Sequence, residues 1–259
     1  MLLLVAGGGG TARAAEPPAL AKARALYNAG SYDAAIEAAA SVRGDSQFGD
    51  AAALVLARAH LERYRKGASL ADLATARDTL TAIHRAALAP RDQIDLLIGL
   101  GQTLYFGEQF GAGAQLFATA LERSALLSPR DRDLLLDWWA SALDREAQSR
   151  PGEGGAAIFA RVAERMEREV AADPGSAVAN YWLVAAARGE GDVERAWDNA
   201  VAGWVRARLA PETTEALRAD IDRLVVQALI PERARTRPAR EDPEVALRVE
   251  WERVKESWR

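Results

Sequence analysis

The sequence predicts an all-α fold, an α-solenoid of about five antiparallel helical hairpins followed by a C-terminal helical extension. Three observations carry this expectation. Hydrophobic residues make up 49% of the 259, and much of that fraction is alanine, the strongest helix former. No alternation of apolar and polar residues is sustained long enough to mark a strand. A pattern of small and bulky residues also recurs, each copy centred on a turn residue between two helix-forming runs.

The pattern starts at a small or apolar residue. Then, 3, 7, 9, 12 and 16 positions on, come an apolar, a turn or polar, a bulky, a small, and a small or apolar residue. The first hairpin reads Ala23, Leu26, Gly30, Tyr32, Ala35, Ala39. The third reads Gly101, Leu104, Glu108, Phe110, Gly113, Phe117, and the fifth Val184, Ala187, Gly191, Val193, Ala196, Ala200. Small residues let antiparallel helices approach closely, and the bulky one wedges between them. Gly30 and Gly191 are suited to the left-handed turn that ends the first helix. Ser31 and Asp192 stand where the second helix needs a cap.

The second and fourth hairpins are looser. Ala57 is the small residue of the second, with Ala76, Leu80 and Ile83 on its second helix. The stretch "YRKGASLADL" predicts an inter-helix segment about seven residues longer than a tight turn. The fourth pairs "LLLDWWASALDREA" with "AAIFARVAERMEREV" across "QSRPGEGG", read as another long loop. Other helix starts are marked by Ser128-Pro129-Arg130-Asp131, by Ser69 with Asp72 as a capping box, and by Asp242-Pro243-Glu244.

Beyond the hairpins, 211–231 reads as an amphipathic helix closing the solenoid, and 232–242 as an Arg/Pro linker. The last segment, 243–259, reads as a second amphipathic helix. Leu247, Trp251, Val254 and Trp258 form one stripe on it. That stripe covers the open end of the solenoid, or serves a detachable helix that docks on a partner or into the chain's own groove, or mediates homo-oligomerisation. Residues 1–15 read as signal-peptide-like or disordered. Leu2 to Ala6 resembles the end of a signal-peptide apolar region, with Ala12-Arg13-Ala14 as a small-x-small cleavage site. A periplasmic or secreted location follows from the first of these readings, a cytoplasmic one from the second.

The stretch "ADPGSAVANYWLVAAARGEGDVERA" resembles the end of one tetratricopeptide repeat joined to the start of the next, with Pro174 in the turn between helices. Ala23 to Ala57 spans 34 residues, the period of that family. The resemblance covers 20–47, 94–125 and 170–205, within a repeat domain of 16–210. It implies that the first helix of each hairpin lines a concave groove. Matched position by position, the groove is expected to carry Tyr27 and Asn28, then Ile98, Gln102 and Tyr105, then Tyr181 and Arg188. Arg24 and Arg58 are expected to donate to a partner's carboxylate. The family's carboxylate-clamp pattern of Lys, Asn and Arg is not reproduced, so a chaperone's C-terminal tail is not the expected ligand.

Tryptophan adds to this face. Trp138 and Trp139 are adjacent on a helix and point about 100° apart, so one of them is expected on an open surface as an anchor. Trp182, and Trp197 with Trp204 seven positions on, are expected in the core.

Composition excludes several chemistries. With no cysteine there is no disulfide and no thiolate catalysis or metal site. A formal net charge of −4 does not favour nucleic acid. His60 and His84, each placed on a helix, have no metal-ligand spacing between them, and no nucleophile elbow or phosphate loop is present. Asp133 and Asp137, four apart, share a helix face as paired carboxylates do, but with Arg130 and Arg132 close they read as a solvated face, and Asp220 with Asp222 is read the same way. No cofactor, metal or transmembrane segment is expected. The expected function is non-catalytic binding of a protein or peptide on the concave face, as an adaptor or scaffold in envelope assembly. A helical-solenoid enzyme acting on polysaccharide through acidic residues and Trp platforms is the rival, and a self-associating structural subunit is the third reading.

Overall fold

A computed structural model describes residues 15–150, 152–237 and 242–259. The expected signal-like segment and its cleavage site at Ala12-Arg13-Ala14 lie outside them. The described residues are helical and include no strand. None of their helices is long and apolar enough to cross a membrane. The chain divides into two compact units, Met1–Thr103 and Leu104–Arg259.

The first unit contains α1 (Pro18–Asn28), α2 (Tyr32–Ala40), α3 (Gly49–Gly67) and α4 (Leu70–Thr81). The boundary falls inside α5 (Pro90–Phe106). Consecutive helices pack on one another from α1 to α4, and α1 also touches α3. The pattern residues Ala23, Ala35, Ala39, Ala57 and Ala76 are fully buried, which is the close approach that small side chains permit.

The second unit contains α6 (Phe110–Leu121), α7 (Pro129–Gln148), α8 (Glu153–Ala172), α9 (Ala177–Gly189), α10 (Val193–Arg206), α11 (Thr214–Leu224), α12 (Ile230–Ala234) and α13 (Pro243–Ser257). Neighbours in sequence pack from α6 through α11, with further contacts of α7 with α9 and of α9 with α11. Helix starts follow the sequence signals. Ser128 accepts from the Asp131 amide at 3.1 Å, and Asp192 from that of Arg195 at 3.0 Å. Asp242 accepts from the amides of Glu244 and Val245 at 3.1 and 3.4 Å. Ser31 and Ser69 make no side-chain cap bond. Asp72 turns instead to His60 at 2.7 Å and Arg63 at 3.3 Å, which corrects the expected capping box.

The turn positions of the repeat pattern share one geometry. Gly30, Glu108 and Gly191 have φ of 75°, 59° and 85°. The amide one residue on donates back to the pattern residue near the end of the helix. Ser31 donates to Leu26 at 2.9 Å, Gln109 to Leu104 at 2.8 Å and Asp192 to Ala187 at 3.0 Å. These are Schellman closures, and Glu108 in the third hairpin shows that the turn is imposed by more than glycine.

The expected long loops are corrected. The extra residues of the second hairpin lengthen α3, which runs 19 residues before closing on a left-handed Ala68, φ 54°. Those of the fourth hairpin lengthen α7 and α8 to 20 residues each. The hairpins therefore differ in helix length rather than loop length. Tyr64, Arg65 and Lys66, counted as loop by analogy with a tight turn, are helix formers and prolong α3, whereas the break in the fourth hairpin persists but shortens to 149–152. His84 is also corrected, since α4 ends at Thr81 and the imidazole is exposed.

Helix continues to Ala234, past the start of the expected linker, through a π-helical stretch at Val225–Leu229. Pro231 has no amide hydrogen and its ring would crowd the carbonyl four residues back, so the ladder widens just before it. The stripe on α13 closes this end of the unit. Leu247 and Trp251 are 0% exposed, and the Trp251 ring meets Trp197 at 5.8 Å and Trp204 at 5.5 Å. Its indole N–H donates to Asp222 at 2.8 Å, where Lys255 also donates at 2.9 Å. Homo-oligomerisation through the whole stripe is therefore corrected, because Leu247 and Trp251 are spent inside the chain.

Candidate functional site

In the first unit the expected carboxylate donors already hold carboxylates. Arg24 forks onto Asp92 with two bonds of 3.0 Å and reaches Glu16 at 2.7 Å. Arg58 pairs with Asp95 at 2.9 Å and lies 4.6 Å over the Tyr27 ring. Asp92 and Asp95 are buried, so each needs a cation to offset its lost hydration. This is the physical reason Arg24 and Arg58 are not open to a partner. Burial raises the Tyr27 phenol above its ordinary pKa, against the lowering effect of Arg58. Asn28 is exposed, Ile98 half-buried and Gln102 buried, so Gln102 is corrected as a surface contact.

The second unit brings the aromatic candidates to a surface in a split manner. Trp138 is half-buried, and its ring meets Tyr105 edge-on at 5.2 Å, Phe106 at 5.8 Å and Phe117 at 5.9 Å. Trp139, next to it on α7, is 6% exposed and is corrected from site to core. The same division recurs on α9, where Tyr181 is half-buried and Trp182 is 7% exposed. The Trp182 indole N–H donates to Asp137 at 2.8 Å, which ties α9 to α7. Arg188, seven residues after Tyr181, forks onto Glu232 of α12 with bonds of 3.0, 3.0 and 2.6 Å. It is engaged by the chain's own carboxylate, a correction to its expected role as a free donor.

Carboxylates gather around Tyr181. Burial first, then the negative charges of Asp220, Asp144 and Asp137, raise its phenol above the ordinary value, against the lowering effect of Arg223. Burial likewise raises the carboxyls of Asp133, Asp137 and Asp144. Asp137 is held by an indole and Asp144 by the Gln148 amide at 2.8 Å, and the charges of Arg145 and Arg188 partly offset the burial of Asp144. Glu169 is the opposite case. Burial pushes its carboxyl up, but Arg132 at 2.6 Å and Arg165 at 2.7 Å outweigh that and hold it below the ordinary carboxylate value. Asp222, already bound by Trp251 and Lys255, is separated from Asp220 in role.

Asp144 and Glu232 were not legible as site residues in the sequence. A signal for the first was present, since Asp137 and Asp144 on α7 have the same seven-residue spacing as Tyr181 and Arg188 on α9. Glu232 sat in a segment read as linker and gave no such signal. Among the described residues no group of His, Asp and Glu could hold a metal ion. No protein-family model matches the chain, and no match is found among curated proteins or solved structures.

Proposed function

We propose that the protein is a non-catalytic binding module whose hairpins stack as a tetratricopeptide-like solenoid and hold a protein or peptide segment along their first helices. The observation that carries this reading is the split of Trp138 from Trp139 and of Tyr181 from Trp182. In each pair one ring fills the core while its neighbour stays half-exposed. Tyr181 falls at a groove position of the repeat register, and the helices that carry Trp138 and Tyr181 touch. A half-exposed ring rimmed by polar groups combines apolar area with hydrogen-bonding edges, the chemistry of an interface anchor. The shared turn geometry at Gly30, Glu108 and Gly191 supports the same register. Action in the cell envelope is part of the proposal and rests on the signal-like start.

Affinity capture from cell extract tests it, using wild type and a Tyr105→Ala, Tyr181→Ala double variant shown by circular dichroism to be folded. Partners held by the wild type are expected to be lost from the variant. Equal recovery on both would remove the groove assignment.

A further inference from the structure

We propose that a cavity of about 190 Å³ in the first unit binds one free aliphatic α-amino acid, with Arg43 on its carboxylate, Asp50 on its ammonium and the Thr79 hydroxyl as a further partner. Every residue involved belongs to the first unit, so the inference goes beyond the groove reading and does not rest on it.

The cavity lies where the start of α3 meets the end of α4, and Thr79 is its most telling residue. A helical threonine can return its hydroxyl to a carbonyl three or four residues back. Thr81 does so to Arg77 and Asp78 at 3.0 Å each, Thr103 to Leu100 at 2.7 Å and Thr119 to Gln115 at 3.0 Å. Thr79 is 7% exposed, yet its hydroxyl makes no hydrogen bond among the described residues. A buried hydroxyl without a partner is costly, which points to a group that completes it. The oxygen is not sealed off by protein, and the space that Thr79 lines is this cavity.

The charges around the cavity decide the kind of ligand. The exposed Arg43 lines it and has no ion-pair partner among the described residues. Gly49 and Asp50, at the N-terminus of α3, line it too, and the cap position Phe48 supplies no side-chain acceptor for the first amides. A guanidinium and the positive end of a helix both favour a carboxylate, which arginine can hold with two bonds. Asp45 is already engaged, its Oδ1 accepting from the amides of Gln47 and Phe48 at 2.8 Å. Asp50 meets only the exposed His84 among the described residues, at 3.7 Å, and suits an ammonium. A simple anion would face Asp50 and a simple cation would face Arg43, whereas a zwitterion answers both. Ala53, Ala82 and Ile83 supply an apolar wall for a short aliphatic side chain. The volume is below the roughly 300–1,000 Å³ of sites for drug-sized ligands, so it suits one small molecule rather than a peptide segment.

Isothermal titration calorimetry of the full chain with L-alanine and with L-valine tests the proposal. Saturable binding of at least one of them, one molecule per chain, is expected. The N-acetyl and carboxamide forms of the same amino acid each remove one charge and should bind at least roughly tenfold more weakly. Arg43→Gln, Asp50→Asn and Thr79→Val, each shown by circular dichroism to be folded, should weaken binding by a similar factor. Thr79→Ser keeps the hydroxyl and should bind as wild type, which separates a hydrogen bond to the ligand from packing. Arg77→Gln removes an exposed guanidinium of α4 outside the cavity lining and should change nothing. No saturable binding of either amino acid, undiminished binding of the N-acetyl and carboxamide forms, or equal weakening by Arg77→Gln overturns the proposal. Partner capture and its loss from the Tyr105→Ala, Tyr181→Ala variant are independent of these results, so the groove reading stands or falls separately.

Discussion

At the scale of single residues, the turns are where sequence and backbone can be compared most directly. Gly191 has φ 85° and open space where a Cβ would stand, so Gly191→Ala tests conformation without a clash. It should destabilise the fold by about 1 kcal/mol. Glu108 occupies the same left-handed region at φ 59° with a side chain that disfavours it. Glu108→Gly should therefore stabilise by about 0.5–1 kcal/mol, the relieved strain exceeding glycine's extra unfolded-state entropy. Urea midpoints at constant m-value measure both, and equal signs for the two would contradict the shared-turn account. Asp144 gives a pH prediction. Its folded pKa lies above the unfolded value, so the stability linked to its proton is complete below the unfolded pKa and is lost as pH rises through the folded one. Asp144→Asn should accordingly be more stable than wild type at pH 7 and no different near pH 3. The gain should stay under about 1 kcal/mol because solvent screens a half-exposed carboxylate. A variant less stable at pH 7 would show that the carboxylate is not under strain there.

Elements were legible where the local signal was strong and ambiguous where a neighbour decided. Caps at Ser128, Asp192 and Asp242 were readable because a side chain and an amide three residues apart settle them alone. Ser69 and Asp72 carried the same signal and failed, because Asp72 finds His60 and Arg63 on α3. The extra residues of the second hairpin looked like loop only when measured against a fixed repeat length, since Tyr64, Arg65 and Lys66 are helix formers; in the fourth, Pro151 and Gly152 did mark a break, but a shorter one than the repeat length suggested. The α13 stripe was readable as amphipathic, but whether it packs within the chain depended on Trp197 and Trp204, which lie about fifty residues earlier. Trp251→Ala should remove a fully buried ring and leave Asp222 without one donor, costing the second unit about 3–5 kcal/mol. Calorimetry would register this as a lowered transition. An unchanged transition would mean that α13 is not integral to the fold.

For the molecule as a whole, the sequence conveyed the helical class and the positions of tight turns, because both are encoded over a few residues. The candidate site was only partly legible. Register named Tyr105 and Tyr181 for the groove, and helix geometry required Trp138 and Trp139 to part without saying which is open; neither could foresee that Arg24, Arg58 and Arg188 would be claimed by Asp92, Asp95 and Glu232, since those pairings join residues 68, 37 and 44 positions apart. The proposed binding therefore rests on the half-exposed rings of the second unit rather than on arginines of both. The central claim, that this face holds another molecule without changing its bonds, is tested most directly by site-specific photocrosslinking in cells. The photoreactive benzoylphenylalanine is placed at Tyr181 in one variant and at Glu164 in another. Irradiation should yield a discrete adduct with another protein from position 181 and none from position 164; no adduct at 181, or the same adducts at both, would contradict the account.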